Sequence, residues 1–163
     1  MMEREEIIDR ARACKGTPFH LHGRTPGAGL DCLGIVAVAY PVKDRLDYRL
    51  ADTLETMLAG LEAVGFVRVE RTAIPGDLLV FKIGHHGHVA VATDRGMLHV
   101  HSGAPPKRPG TCVEHWLTPM WADRLYCVME WRGMVTDGPT LAECRERFDN
   151  TGNFAGGDPA GGE

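Results

Sequence analysis

The chain is organised around an apolar run that begins on a cysteine. Gly29-Leu30-Asp31-Cys32-Leu33-Gly34-Ile35-Val36 follows a turn rich in Gly and Pro, Arg24-Thr25-Pro26-Gly27-Ala28. It continues through Ala37-Val38-Ala39-Tyr40 and stops at Pro41. A helix of that composition has no polar face, so its body must be buried. Asp31 suits the N-cap, because its carboxylate accepts the orphan amides of the first turn. Cys32 then stands at or next to the first helical position, where unpaired amides and the helix dipole favour a thiolate over a thiol. Small buried cysteines at helix starts are common in ordinary cores. What Cys32 does therefore depends on the residues that the rest of the chain brings to it.

A chain of 163 residues suffices for one domain with a hydrophobic core. The formal net charge of -4 and the absence of a basic stripe argue against nucleic acid as a partner. No apolar run is long enough to span a bilayer, so membrane insertion is not expected. The start, Met-Met-Glu-Arg-Glu-Glu, lacks the apolar core of a signal peptide. The expectation is a protein made and kept in a cytoplasm, or exported by a route not written in these residues. Cys14, Cys32, Cys112, Cys127 and Cys144 are odd in number and share no CxxC spacing. Neither a disulfide framework nor a cysteine-rich zinc site follows from them.

Residues 3–15 read as a helix with Ile7, Ala11 and Cys14 on one face and Gly16 as its stop. The segment 17–23 is irregular, and its His20 and His22 read as loop residues. Asp52-Thr53-Leu54-Glu55 has a capping-box pattern and opens a second amphipathic helix that ends near Gly65. Strands are expected over 66–70, 78–83, 88–92, 97–101, 111–115 and 125–131. Turns separate them at Ile74-Pro75-Gly76-Asp77 and at Thr93-Asp94-Arg95-Gly96. Helices first and a meander of strands afterwards define an α+β domain with an antiparallel sheet over residues 1–132. Beyond Arg132 the composition shifts, and Asn150 to Glu163 is rich in Gly, Asp, Asn and Pro. A short helix over 141–148 is the one structural expectation in the extension, 133–163, which reads as disordered or docked on a partner.

Five of the eight histidines lie between positions 85 and 101. His99 and His101 are two apart on a strand and share a face. A tight hairpin brings His88 on the neighbouring strand close to one or the other. A thiol nucleophile needs this kind of arrangement: a base within reach, and a third polar group that orients the base. A rival chemistry is zinc, bound by three imidazoles drawn from His85, His86, His88, His99 and His101. No HExxH helix supports it, and Asp94 is in the wrong part of the hairpin to serve as its general base. The expectation is a site without metal or other cofactor.

At these positions the chain resembles a known family. Gly16-Thr17-Pro18-Phe19, Gly29 to Gly34, Pro75-Gly76-Asp77-Leu78-Leu79-Val80-Phe81, His88-Val89-Ala90-Val91 and Met97-Leu98-His99 follow in the order of the motifs of NlpC-type cell-wall cysteine peptidases. Asp-Cys-Leu-Gly and Leu117-Thr118-Pro119-x-Trp121-x-x-Arg124 most resemble the phage-tail and gene-transfer-agent branch. The resemblance covers about Glu5 to Trp131.

It implies a papain-like α+β fold, with N-terminal helices packed on a central sheet and the nucleophile at a helix N-terminus. Position by position it implies Cys32 as nucleophile, His88 as base and His99 as the third polar residue, with His101 as the alternative orienter. The implied substrate is the peptidoglycan stem peptide, cut typically between D-glutamate and a diamino acid. The implied setting is a phage or phage-like particle, among tail-tip proteins. Phe19 stands where the family usually has a Tyr whose hydroxyl aids the oxyanion site. Phe cannot donate, which leaves the Cys32 amide and His20 as donors there. A structural tail-tip protein of the same fold with little or no catalysis, and a zinc-dependent hydrolase, are the alternative functions.

Overall fold

The computed structural model of the chain describes residues 2–44, 46–49, 52–104 and 108–132. The expected helix over 141–148, Cys144 and the extension from 133 onward lie outside the described residues.

The first helix, α1 (Arg4–Arg12), buries Ile7, Ile8 and Ala11. The chain then turns through Gly16 into a small ribbon, β1 (Arg24–Thr25) and β2 (Gly29–Leu30). Next comes the apolar helix α2 (Cys32–Ala39). Eight residues are too few for a helix to persist alone in water. Burial of Ile35, Val36 and Ala39 holds it in place, at about 1.5–3 kcal/mol for each large apolar side chain. Tyr40 ends it, and its hydroxyl donates to the Gly76 carbonyl at 2.9 Å. In α3 (Leu54–Ala63) the cap is Thr53, which accepts from the Thr56 amide. The cap therefore falls one residue later than the capping-box pattern suggests, because the Asp52 carboxylate is taken by the Arg49 amide.

The strands are β3 (Phe66–Val69), β4 (Leu78–Ile83), β5 (His86–Thr93), β6 (Gly96–Val100), the short pair β7 (Gly103–Ala104) and β8 (Arg108–Pro109), β9 (Cys112–His115) and β10 (Leu125–Trp131). A last helix, α4 (Pro119–Arg124), lies between β9 and β10. Among the described residues, six strands form one antiparallel sheet in the order β3-β10-β4-β5-β6-β9. The run β4-β5-β6-β9 is the expected meander. β10 returns to the middle and pairs with both β3 and β4.

On one face α1, α2 and α3 cover Leu78, Val80, Val89, Val91, Leu98 and Val100. On the other face Leu79, Phe81, Ala90, Ala92 and Met97 pack with Trp121 of α4. Pro75-Gly76-Asp77 is more than a turn. Asp77 is fully buried and accepts from Arg71 at 2.6 Å, Arg4 at 2.8 Å and the Ile74 amide at 2.9 Å. Burial alone would raise its pKa, and these three donors bring it below the ordinary carboxylate value instead. The turn thereby ties α1 to the head of β4.

Candidate active site

Asp31 caps α2 as its type predicts, through the Gly34 amide at 2.8 Å, and it also gathers three further donors. The His22 amide reaches Oδ2 at 2.9 Å, Arg24 Nη1 reaches Oδ1 at 3.2 Å, and the Tyr48 hydroxyl donates to Oδ2. His22 holds a left-handed backbone with φ 60°. That conformation is uncommon outside glycine. Here it is secured by the hydrogen bond from its amide to Asp31 and by a ring contact of Nε2 with the Tyr48 carbonyl at 2.9 Å. Gly34 has to be glycine, since a Cβ there would lie 2.5 Å from the Gly23 carbonyl oxygen. The start of α2 is thus clamped by the 22–24 segment before it and by Tyr48 after it.

Cys32 occupies the first helical position and is partly exposed. Burial pushes its thiol up to about 12, the Asp31 charge pushes in the same direction, and amides of Val89, Leu33 and Cys32 itself oppose them. The preformed thiolate expected from the helix dipole is therefore not the resting form; desolvation and a neighbouring carboxylate outweigh the amides. The Val89 amide places the sulfur against the His88–Val89 peptide of β5.

The histidines lie on the α4 face of the sheet, where His88 alternates with Val89 and shares the side of Ala90 and Ala92. Thiol and imidazole flank one peptide unit and share no hydrogen bond. His88 Nε2 lies 2.8 Å from His99 Nδ1. His99 Nε2 lies 2.9 Å from His115 Nε2, and His115 Nδ1 lies 2.8 Å from the Trp116 carbonyl oxygen. Three adjacent strands, β5, β6 and β9, thus carry a diagonal line of bonded imidazoles. Trp121 lies over it, with ring centroids 5.4 Å from His88 and 5.0 Å from His99. Burial pushes His88 down to about 4 and His99 down to about 3, with repulsion from neighbouring histidines as a lesser cause. At neutral pH both rings are uncharged.

Of the two candidate partners of His88, the structure bonds His99. Extending the pairing Val91↔Leu98 would set His88 opposite His101. The ring instead reaches diagonally, which lies within the range of side chains on a twisted sheet. His101 stands 6.0 Å from His99, centroid to centroid, and contributes repulsion to both rings. His20 is exposed, with Nδ1 2.9 Å from the Leu21 carbonyl oxygen. His86 Nδ1 contacts the Asp52 carbonyl at 3.1 Å, away from the imidazole line. Among the described residues no group of three or more His, Cys, Asp or Glu is placed to hold a metal ion. The imidazole set that zinc requires is therefore not assembled.

The sequence reading gave no role at the site to four residues that the structure places there: Arg24, Tyr48, His115 and Trp121. His115 carried a weak signal, since it falls two residues after Val113 on the strand beside His99. Thr118-Pro119, a residue that caps followed by Pro at the first helical position, is the signal that could have found α4 and with it Trp121. A groove of ≈ 150 Å³ opens beside Cys32, lined by Phe19, Leu33, Val36, Tyr48 and Met57. Arg24, Lys43, Asp44, Arg49 and Asp52 also line it, so both signs of charge are present.

A thiol at the head of a buried helix, set against a sheet that carries a bonded imidazole pair, is the arrangement of a papain-like α+β domain. The profile of the NlpC/P60 family matches residues 16–130, and the chain belongs to that family. Its members include cysteine peptidases that hydrolyse peptidoglycan. Among solved structures, an NlpC/P60 family protein from Bacillus cereus ATCC 10987 is similar at 19% identity and a TM-score of 0.55, over 80% of this chain and 40% of that one. NlpC1 from Trichomonas vaginalis is similar at 18% identity and 0.46, over 71% and 40%. The NlpC/p60 domain of the peptidoglycan hydrolase SagA is similar at 24% and 0.42, over 69% and 90%. The chain thus spans about two fifths of the first two. No curated protein sequence matches it.

Proposed function

We propose that the chain is a peptidoglycan endopeptidase that cuts stem peptides by cysteine nucleophilic catalysis. The observation that carries this reading is the position of Cys32 against the strand of His88, whose ring is bonded to His99. His88 Nδ1 has no hydrogen-bond partner among the described residues and is the nitrogen available as base. It takes the Cys32 proton as sulfur attacks the stem-peptide carbonyl, and the Cys32 amide and its neighbours at the helix start receive the oxyanion. The same nitrogen then protonates the leaving amine. It next deprotonates a water that releases the acyl group and restores the thiol. His99 holds the ring throughout. The neutral resting pair requires proton transfer during attack rather than a standing ion pair.

The groove beside Cys32 supports a stem peptide, which offers small apolar side chains together with carboxylate and amine charges. The bond between D-glutamate and the diamino acid is the proposed target. Mass spectrometry of muropeptides after incubation with the protein tests this. New amino termini on the diamino acid are expected, and their absence, or equal release by Cys32→Ala, would refute it.

We further propose that the protein acts within a phage or phage-like particle, near tail-tip proteins, with the extension beyond Arg132 as its dock. The Leu117-to-Arg124 motif supports this setting. Truncation after Arg132 should preserve hydrolysis and abolish incorporation into particles. Normal incorporation of the truncated chain would remove the docking role.

A further inference from the structure

We propose that His115 is a positioning residue that sets the hydrogen-bond polarity of the imidazole line and so keeps the base nitrogen of His88 free of a proton. A carbonyl oxygen only accepts, so the 2.8 Å contact with Trp116 places a proton on His115 Nδ1. In a neutral imidazole the other nitrogen is then an acceptor. Across the 2.9 Å contact, His99 Nε2 must donate to His115 Nε2. His99 Nδ1 is left as an acceptor, and across 2.8 Å His88 Nε2 must donate to it. One proton per ring leaves His88 Nδ1 bare. A single carbonyl on the strand-end loop therefore fixes the tautomer of a ring two strands away.

The enclosure of the line makes this polarity consequential. His99 is 2% exposed, and Trp121 lies over both His88 and His99. Every ring nitrogen from His88 Nε2 to His115 Nδ1 is engaged within the line. A donor placed at position 115 would reverse each bond in turn. His99 Nε2 would accept, His99 Nδ1 would donate, His88 Nε2 would accept, and the proton of His88 would move to Nδ1. The nitrogen assigned as base would then already carry its proton. This deepens the assignment of His88 as the base and rests on that assignment for its catalytic consequence; the tautomers themselves do not depend on it.

The test is nitrogen-15 NMR of histidine-labelled full-length protein at neutral pH, which reports which ring nitrogen carries the proton. His88 and His99 are expected to be protonated on Nε2, and His115 on Nδ1. His115→Gln offers an amide oxygen where Nε2 stood and should preserve the pattern at His88 and His99. His115→Lys offers donors only and should move the His88 proton to Nδ1. Iodoacetamide alkylation of Cys32 should run at about the natural rate in H115Q and roughly tenfold or more slower in H115K. A merely structural role would leave the tautomers alone in every variant. Protonation of His88 on Nδ1 in the natural protein, or on Nε2 in H115K, would overturn the proposal. If H115K does not fold, the natural protein's spectrum decides. Loss of the peptidoglycan reading would leave these signals in place, so the two failures are distinguishable.

Discussion

The thiol and the imidazole of the candidate site are held by opposite kinds of contact. Around Cys32 the neighbours are charged and come from chain on both sides of one helix start: Asp31 with Arg24, and Asp44 bonded in turn to Arg24 at 2.9 Å. Around His88 the neighbours are rings delivered by separate strands, with Trp121 as a cover. The charged side keeps the thiol protonated through burial and the Asp31 field. The ring side keeps His88 and His99 uncharged through burial. Both departures favour a neutral pair. The difference teaches that, in the proposed mechanism, the helix start would supply placement and oxyanion amides rather than a ready anion, and that the acid–base capacity would come from the sheet.

The largest effects should come from removing either reacting group. Cys32→Ala and His88→Ala are each expected to lower muropeptide turnover by roughly 10⁴ or more, as members of a unit that acts together. Circular dichroism should show the fold intact in both. Residual turnover within tenfold of the natural protein in either would break the pairing of the two sides.

His99 separates the sides next. His99→Ala removes the bond that holds the His88 ring and should cost roughly 10²–10³ in turnover. His101→Ala should stay within a few-fold, because its ring lies beside the line rather than in it. The reverse ranking, read from kcat/KM on the same muropeptide substrate, would mean that the strand-opposite partner is the working one.

On the charged side the expected effect is on stability. Asp31→Ala leaves Arg24 without its buried partner and removes the α2 cap and the Tyr48 contact. A loss on the order of 2–4 kcal/mol is expected from urea unfolding. Less than about 1 kcal/mol would show that the hub is a surface cap and no more.

These contrasts also mark what the sequence made legible. Asp31 and Cys32 were readable because capping is local: the residue type and the apolar run after it suffice. The antiparallel meander was readable for the same reason, from alternation and turn residues. The choice between His99 and His101 was not available from strand geometry, since both share a face and the contact made is diagonal; family spacing pointed to His99. His115 stayed hidden because its meaning depends on β9 pairing with β6, a contact formed across the β7–β8 excursion. β10 read as a core strand, but nothing in its pattern says that it lies between β3 and β4. Tyr48 reaches Asp31 from a polar connection with no periodicity to betray it.

The smallest effect at neutral pH, and the sharpest probe of the ring side, should come from Trp121. Its indole lies over His88, His99 and Phe81. Burial is the first cause that holds His88 near 4 and His99 near 3, against 6.5 for a free imidazole. The base works only without its proton, so turnover should rise with pH through about 4 and be complete well below neutrality. Stability follows the same direction. The folded values lie below the unfolded one, so the unfolded chain binds more protons between about 4 and 6.5, and stability falls as pH drops through that window. Trp121→Ala admits water to the rings and moves their values back toward 6.5. At pH 7.5 its turnover should lie within about twofold of the natural protein, and at pH 5 it should fall several-fold further behind. In parallel, the acid loss of Tm should begin at a similar pH but level off sooner on the acid side, because the folded and unfolded values have converged. A pH–kcat/KM profile that keeps its acid limb near 4 in W121A would show that the indole is a packing residue without influence on the base.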